Sequence, residues 1–116
     1  MAALAGALLA GCSGNSPEGV SKAFFTALAE GKIDEAMAMT SNGAVFAQEP
    51  KIRAIFATIP AEVAQKGGLK SIETVSSEVK GDTATVRLRI HYNNGSSQLD
   101  SSKLVRVDGK WKIIIE

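Results

Sequence analysis

The chain holds one thiol, Cys12, and one imidazole, His91, and these two side chains bound the chemistry open to it. A single thiol and a single histidine exclude a conventional multi-ligand zinc site. No serine–histidine triad can be reasoned out around them either. No metal and no cofactor is expected. Cys12 directly follows Leu9-Ala10-Gly11, a small-residue triplet that ends the apolar run Met1–Leu9. His91 sits in an alternating segment with Arg87 and Arg89, the pattern of a solvated strand face, and no catalytic duty is expected of it. Asp34 and Glu35 gather near Glu30 at the start of a helical stretch. Negative charge there favours the helix dipole and needs no acid–base role. Asn94-Gly95-Ser96 matches a glycosylation sequon, although a hairpin turn accounts for it.

The segment around Cys12 has a second meaning. Met1–Gly11 is shorter than the ~20 apolar residues that span a bilayer and suits the ~7–15-residue apolar core of a secretion signal. No basic residue precedes Ala2, so this leader is expected to be truncated. Leu9-Ala10-Gly11-Cys12 resembles the lipobox of bacterial lipoproteins. The resemblance implies diacylglycerol on the Cys12 thiol, cleavage before Cys12 and acylation of the new amine. Residues 1–11 would then be a signal peptide, 12–16 a lipidated tether and 17–116 a single α+β domain. Two or three acyl chains, at ~0.8 kcal/mol per buried methylene, hold one end to the membrane essentially permanently. Ser13 follows the cysteine where an inner-membrane retention signal would have aspartate. The resemblance therefore implies a periplasm-facing outer-membrane lipoprotein, or the outer face of the plasma membrane in a one-membrane bacterium. An ordinary buried thiol after an alanine-rich stretch is the alternative.

Thirteen basic and twelve acidic residues leave a net charge of +1. No basic block stands out, which argues against a nucleic-acid partner. With one cysteine no intramolecular disulfide can form, yet a chain of this length buries enough surface for one modest core.

Periodicity divides the chain in two. Ser16-Pro17-Glu18 reads as an N-cap, a proline at the first helical position and an acid at the positive helix end. Val20, Ala23, Phe24, Ala27 and Leu28 follow at amphipathic spacing, up to Gly31. A shorter helix is expected from about Lys32 to Met39, presenting Ile33, Ala36 and Met37. Val45-Phe46 reads as an apolar plug under a loop. A third helix opens at Pro50 with Ile52, Ile55, Phe56 and Ile59 on one face, breaks at Pro60, and gives way to a short turn carrying Val63 that closes at Gly67-Gly68. After Gly68 the period becomes two. Leu69–Val79, Thr83–Tyr92, Ser96–Val107 and Lys110–Ile115 read as four strands. Asn94-Gly95 and Asp108-Gly109 predict type I′ hairpin turns. Ala84, Val86, Leu88, Ile90 and Tyr92 should face the helices, with Trp111, Ile113 and Ile115. Opposite parities of Ile72 and Val75 predict a bulge near Glu73-Thr74. If Val105 and Val107 also face inward, then so does Lys103, unless a bulge or the sheet end exposes it.

Three helices on a curved four-stranded antiparallel meander resemble the nuclear-transport-factor-2-like (cystatin-like) cone. The strings Ser16–Val20 with Phe24-Phe25, Ala27–Lys32, Gly67–Ile72, Gly81–Val86 and Asp108–Ile113 resemble an uncharacterised family of bacterial lipoproteins with that fold. These motifs are caps, turns and core positions, and none is catalytic. The wider superfamily includes isomerases, dehydratases and cyclases that place Asp, His or Tyr inside the cone. The expected pocket lining is Phe24, Leu28, Phe56, Leu88, Tyr92 and Trp111. The leading expectation is a non-catalytic binding or scaffolding domain for an envelope protein or a small apolar ligand; the alternative is an enzyme of the isomerase or dehydratase type. An inward carboxylate or histidine at the base of the cone would favour the enzyme, whereas a purely apolar lining would favour binding or scaffolding. Arg87, Arg89 and His91 would lie on the outer sheet face, through which a homodimer could form.

Overall fold

The computed structural model describes residues 16–42 and 49–115. Cys12, Leu9-Ala10-Gly11 and the expected plug Val45-Phe46 lie outside the described residues. The chain runs through helices α1 (Pro17–Ala29), α2 (Ile33–Ala38), α3 (Pro50–Ala57) and α4 (Ile59–Gln65). Strands β1 (Leu69–Lys80), β2 (Thr83–Tyr92), β3 (Ser97–Val107) and β4 (Lys110–Ile114) follow. It is an α+β protein with an antiparallel sheet in the order β1-β2-β3-β4.

Local chemistry sets the helix ends. Ser16 Oγ accepts the Gly19 N–H at 3.0 Å and Pro17 occupies the first turn. At the other end Lys32 N–H reaches Ala27 O at 2.8 Å and Gly31 N–H reaches Leu28 O at 3.1 Å, with Gly31 at φ +78°. That pairing is a Schellman motif, which needs a left-handed residue at Gly31's position. The buried stripe of α1 is Pro17, Val20, Ser21, Phe25, Ala27 and Leu28. It differs from the expected face: Ala23 is exposed and Phe24 half-buried. The helix is clasped between the sheet and α2, so its buried surface is broader than a one-sided stripe. Ala36 and Met37 of α2 are buried as expected, whereas Ile55 of α3 is 61% exposed. The expected turn after Pro60 is helical. Pro60 lies in the first turn of α4, where its missing N–H costs nothing, and the break falls at Thr58.

The sheet follows its turns. Asp108 (φ 52°) and Gly109 (φ 78°) are both left-handed, as a type I′ turn requires. The other hairpin differs from expectation, because only Gly95 takes positive φ, at 90°. Gly95 N–H bonds Tyr92 O, and Tyr92 N–H bonds Ser96 O. This is a type I turn closed by a glycine bulge, and it holds the end of α4. Asn93 N–H bonds Gly68 O, Asn93 Nδ2 bonds Gly67 O and Asn94 N–H bonds Lys66 O. A Cβ on Gly67 would meet Asn94 N at 3.2 Å, so this approach requires glycine. The register of β1 on β2 slips between Thr74 and Ser76, setting the bulge at Val75.

Val86, Leu88, Ile90 and Leu104 are buried beneath the helices together with Trp111 and Ile113. Leu104 pairs with Ala84 on one side and Ile113 on the other. Val105 and Lys103 therefore face outward with Val107, so the condition that would have turned Lys103 inward is not met. Thr40 bridges Ile113 in parallel, with Ile113 N–H to Met39 O and Ser41 N–H to Ile113 O both at 2.8 Å. The far side of β4 is covered in this way. The β3–β4 pairing runs only over Lys103–Val107. Among the described residues Ser97–Ser102 has β2 on one side and no strand on the other.

Candidate functional site

The same parity that buries Leu104 turns Gln98, Asp100 and Ser102 inward. Asp100 lies opposite Leu88, and Gln98 opposite Ile90; residues directly opposite share a face. These polar side chains form one wall of a groove of about 570 Å³, a size suited to a small ligand. The facing wall comes from the helices: Phe24 and Leu28 of α1, Phe56 of α3 and Ile59 of α4. Phe24 and Phe56 meet edge to face at 6.1 Å, a favoured aromatic geometry. Phe24 and Leu28 fall four residues apart on α1, which places both over the groove.

Of the six residues expected to line a pocket, Phe24, Leu28 and Phe56 lie on this wall. Leu88, Tyr92 and Trp111 are buried core instead. They stand at the inner positions of β2 and β4, deeper than the groove reaches. Tyr92 is held from above by the Lys66 ammonium, 4.7 Å from its ring centre, and Lys66 donates to Gln98 Oε1 at 3.2 Å. Burial, followed by the charges of Asp100 and Glu62, raises the Tyr92 phenol above its ordinary range. Trp111 is capped by Arg106, whose guanidinium lies 4.9 Å from the ring while its Nε donates to Asp82.

Asp100 is the functional candidate that composition and motif reading pass over. Desolvation raises its carboxyl, opposed by the Ser101 backbone N–H. It remains open to solvent at the groove's rim. The signal for it was present in the sequence. A two-residue turn at Asp108-Gly109 pairs residue 107 with 110 and hence 104 with 113. If Trp111 and Ile113 point inward, Leu104 and Asp100 must as well.

His91 lies on the outer face with Arg87 and Arg89, and its Nε2 stands 3.0 Å from Glu73 Oε1 across β1. The hydrogen bond to His91 is the largest cause that lowers the Glu73 carboxyl. His91 thus has an acidic partner as well as the two expected arginines, and it is on the opposite side of the sheet from the groove. Among the described residues no group of three His, Cys, Asp or Glu side chains is placed to hold a metal ion.

The domain of unknown function DUF4878 matches residues 10–114. The chain belongs to this family. No curated protein matches the sequence significantly. Solved structures of similar fold include the following two. One is a Campylobacter jejuni protein provisionally described as a nuclear-transport-factor-2-like transpeptidase, at 24% identity and a TM-score of 0.76. That match covers 87% of this chain and 99% of the other. The second is a SEC-C-motif-containing protein from Rhodopseudomonas palustris, at 20% identity and a TM-score of 0.53, covering 95% and 84% respectively. At these identities the likeness establishes a nuclear-transport-factor-2-like fold for this DUF4878 domain. Activity does not travel with fold.

One consequence of the Asp100 environment can be measured. Its raised carboxyl means that ionisation costs more in the folded than in the unfolded chain, so this residue favours the fold only when protonated. Asp100→Asn should therefore raise the urea midpoint at pH 7. The gain should vanish below the ordinary aspartate range of about pH 4, where both forms are neutral. A gain independent of pH would assign the effect to packing.

Proposed function

We propose that this chain is a lipid-anchored cell-envelope protein whose cone serves as a non-catalytic binding domain. Lipidation of Cys12 would tether it to the periplasmic side of the outer membrane, or to the outer face of a single plasma membrane. The groove between Phe24, Phe56 and the inner face of β3 supports the binding reading. One wall is aromatic and aliphatic, the other carries Gln98, Asp100 and Ser102. This lining suits an amphipathic ligand better than the purely apolar one expected from sequence.

The transpeptidase description of the Campylobacter protein finds no support in this chain. Acyl transfer of the Ser-x-x-Lys type needs both side chains at one point. The only such string is Ser77-Glu78-Val79-Lys80, and it lies in β1. Ser77 is opposite Val86 on the inner face, and Lys80 is opposite Thr83 on the outer face. An isomerase or dehydratase with Asp100 as base is the second reading, favoured by the desolvation of that carboxyl. It requires turnover with an acid limb that Asp100→Asn abolishes.

Binding is tested with the apolar dye N-phenyl-1-naphthylamine. Its fluorescence should rise on mixing with the wild-type chain and with Asp100→Asn. The rise should be lost in Phe56→Asp. Because Phe56 is half-buried and packs on Ala27, Leu28 and Ala36, an unchanged far-UV circular dichroism spectrum and a cooperative urea transition are the controls that the variant is folded. Equal fluorescence with wild type and Phe56→Asp would remove the groove from the proposal.

A further inference from the structure

We propose that the outer face of the sheet, centred on Arg87, Arg89 and Lys103, lies against the anionic headgroups of the membrane to which Cys12 tethers the chain. This inference rests on the lipid-anchored reading above and names the surface that the domain turns to the bilayer.

Register supplies the first argument. The basic residues of the sheet are scattered in sequence, yet the two-residue period of the strands collects them on one face. Arg87 stands between Ser76 of β1 and Ser101 of β3, and Arg89 is next along the same face of β2. Thr85 pairs with Lys103, which makes Lys103 a diagonal neighbour of Arg87, near enough for both to meet one anionic group. Lys80 and Lys110 share the face at its hairpin end, opposite Thr83 and Val107. The turn carboxylates Asp82 and Asp108 stand close to them in sequence, so the centre of positive charge lies at Arg87. Lys112 has the same parity, but its ammonium donates to Ala38 O at 3.1 Å and is held at the β4 edge. The strands contribute two carboxylates to the face, and each has a partner within the sheet. Glu73 meets His91 at 3.0 Å and Glu78 meets Lys80 at 3.6 Å. The whole chain carries only +1, so this excess of cations leaves the remainder net negative. A molecule so polarised orients in the field of an anionic surface.

Arg87 supplies the second. Its guanidinium has no hydrogen bond or ion pair among the described residues. It lies with Ser76, Thr85 and Ser101 in a shallow depression of about 410 Å³, whose lining Glu78 completes. A planar guanidinium among hydroxyl donors suits phosphate oxygens.

Charge and surface character decide the occupant. A second copy docked face to face would oppose these cations to their like, since both carboxylates are already engaged. A protein partner favours an interface centre depleted of charge. Here the centre is arginine between serines, and the exposed apolar side chains Leu99 and Val107 lie far apart on β3. A bilayer surface needs no apolar centre. From Cys12 to Ser16 the chain spans at most ~14 Å, so acylation keeps the domain at the surface, where each basic side chain adds to the attraction.

The test uses the full chain carrying Cys12→Ser, which cannot be acylated, sedimented with sucrose-loaded vesicles. Vesicles of equal parts phosphatidylcholine and phosphatidylglycerol should bind it at least about tenfold more tightly than phosphatidylcholine alone, or ~1.4 kcal/mol. Added salt should erase the preference. The leader is common to every arm, so only differences between arms are read. Arg87→Glu should lose most of the preference, and the milder Arg87→Gln about threefold. Lys51→Glu changes the net charge as much as Arg87→Glu does, but lies exposed on α3 in the helical layer, and should leave binding intact. No preference for phosphatidylglycerol, or equal losses at Arg87 and Lys51, would overturn the proposal. Displacement by free glycerophosphoglycerol at the lipid concentration would overturn it in favour of a soluble phosphate. Tighter binding to polyglutamate would do so in favour of an acidic protein, and a dimer that Arg87→Glu dissolves in favour of a second copy. Palmitate labelling of the wild type reads the anchor separately. A labelled chain without headgroup preference would overturn the face alone, whereas preference without label would uphold the face and end the anchor.

Discussion

Leu104→Ala is expected to lower the unfolding free energy by about 3 kcal/mol, within the range for burying a hole at a leucine site. Leu104 is 0% exposed and is flanked across the sheet by Ala84 and Ile113. Alanine at position 84 has no side chain to swing into the space, so relaxation should be poor. The urea midpoint should fall with the slope unchanged, and the melting temperature should drop by roughly 10–20 °C. Val107→Ala is the matched control. That side chain is 43% exposed on the outer face, and its loss should cost no more than ~0.5 kcal/mol. Comparable losses at both positions would mean that the inner and outer faces of β3 have been assigned the wrong way round, and Asp100 would leave the groove with them.

Cys12→Ser is expected to move the protein from the membrane pellet to the soluble fraction, and to abolish incorporation of labelled palmitate. The size of this effect follows from chain length. At ~0.8 kcal/mol per buried methylene, two or three acyl chains exceed what any surface contact of a small domain could replace. Signal-peptidase inhibition should meanwhile leave a heavier wild-type precursor. Equal palmitate labelling of both forms would end the lipoprotein reading. The fold should be indifferent to the change, because every described element begins after Ser16.

The aromatic wall of the groove is legible in the sequence. Phe24 and Leu28 are four residues apart, and Pro50 announces the helix that carries Phe56. The polar wall is harder to discern, because strand β3 holds apolar residues on both parities: Leu104 on one, Leu99, Val105 and Val107 on the other. Taken alone, that pattern favours Val105 and Val107 as the buried set. Only the pairing to β4 breaks the tie. Leu99 shows how misleading composition is there, since it is an apolar side chain 60% exposed at a sheet edge.

Local chemistry in the sequence determined the elements and their ends. The Ser16 cap, the glycine after α1, the proline opening α3 and the left-handed Asp108-Gly109 pair act within a few residues, so spacing alone reveals them. β2 was equally plain, because strict alternation between Ala84 and Tyr92 admits one buried face. Tertiary structure decided what depends on partners distant in sequence. Examples are the rotation of α1 that buries Phe25 in place of Ala23, and the seating of Gly67 against Asn93-Asn94. The pairing of Glu73 with His91 is of the same kind. The physical reason is the two-residue period of a strand: a register shift of one position exchanges every side chain between core and solvent. That choice is made by the neighbouring strand and the helices above it.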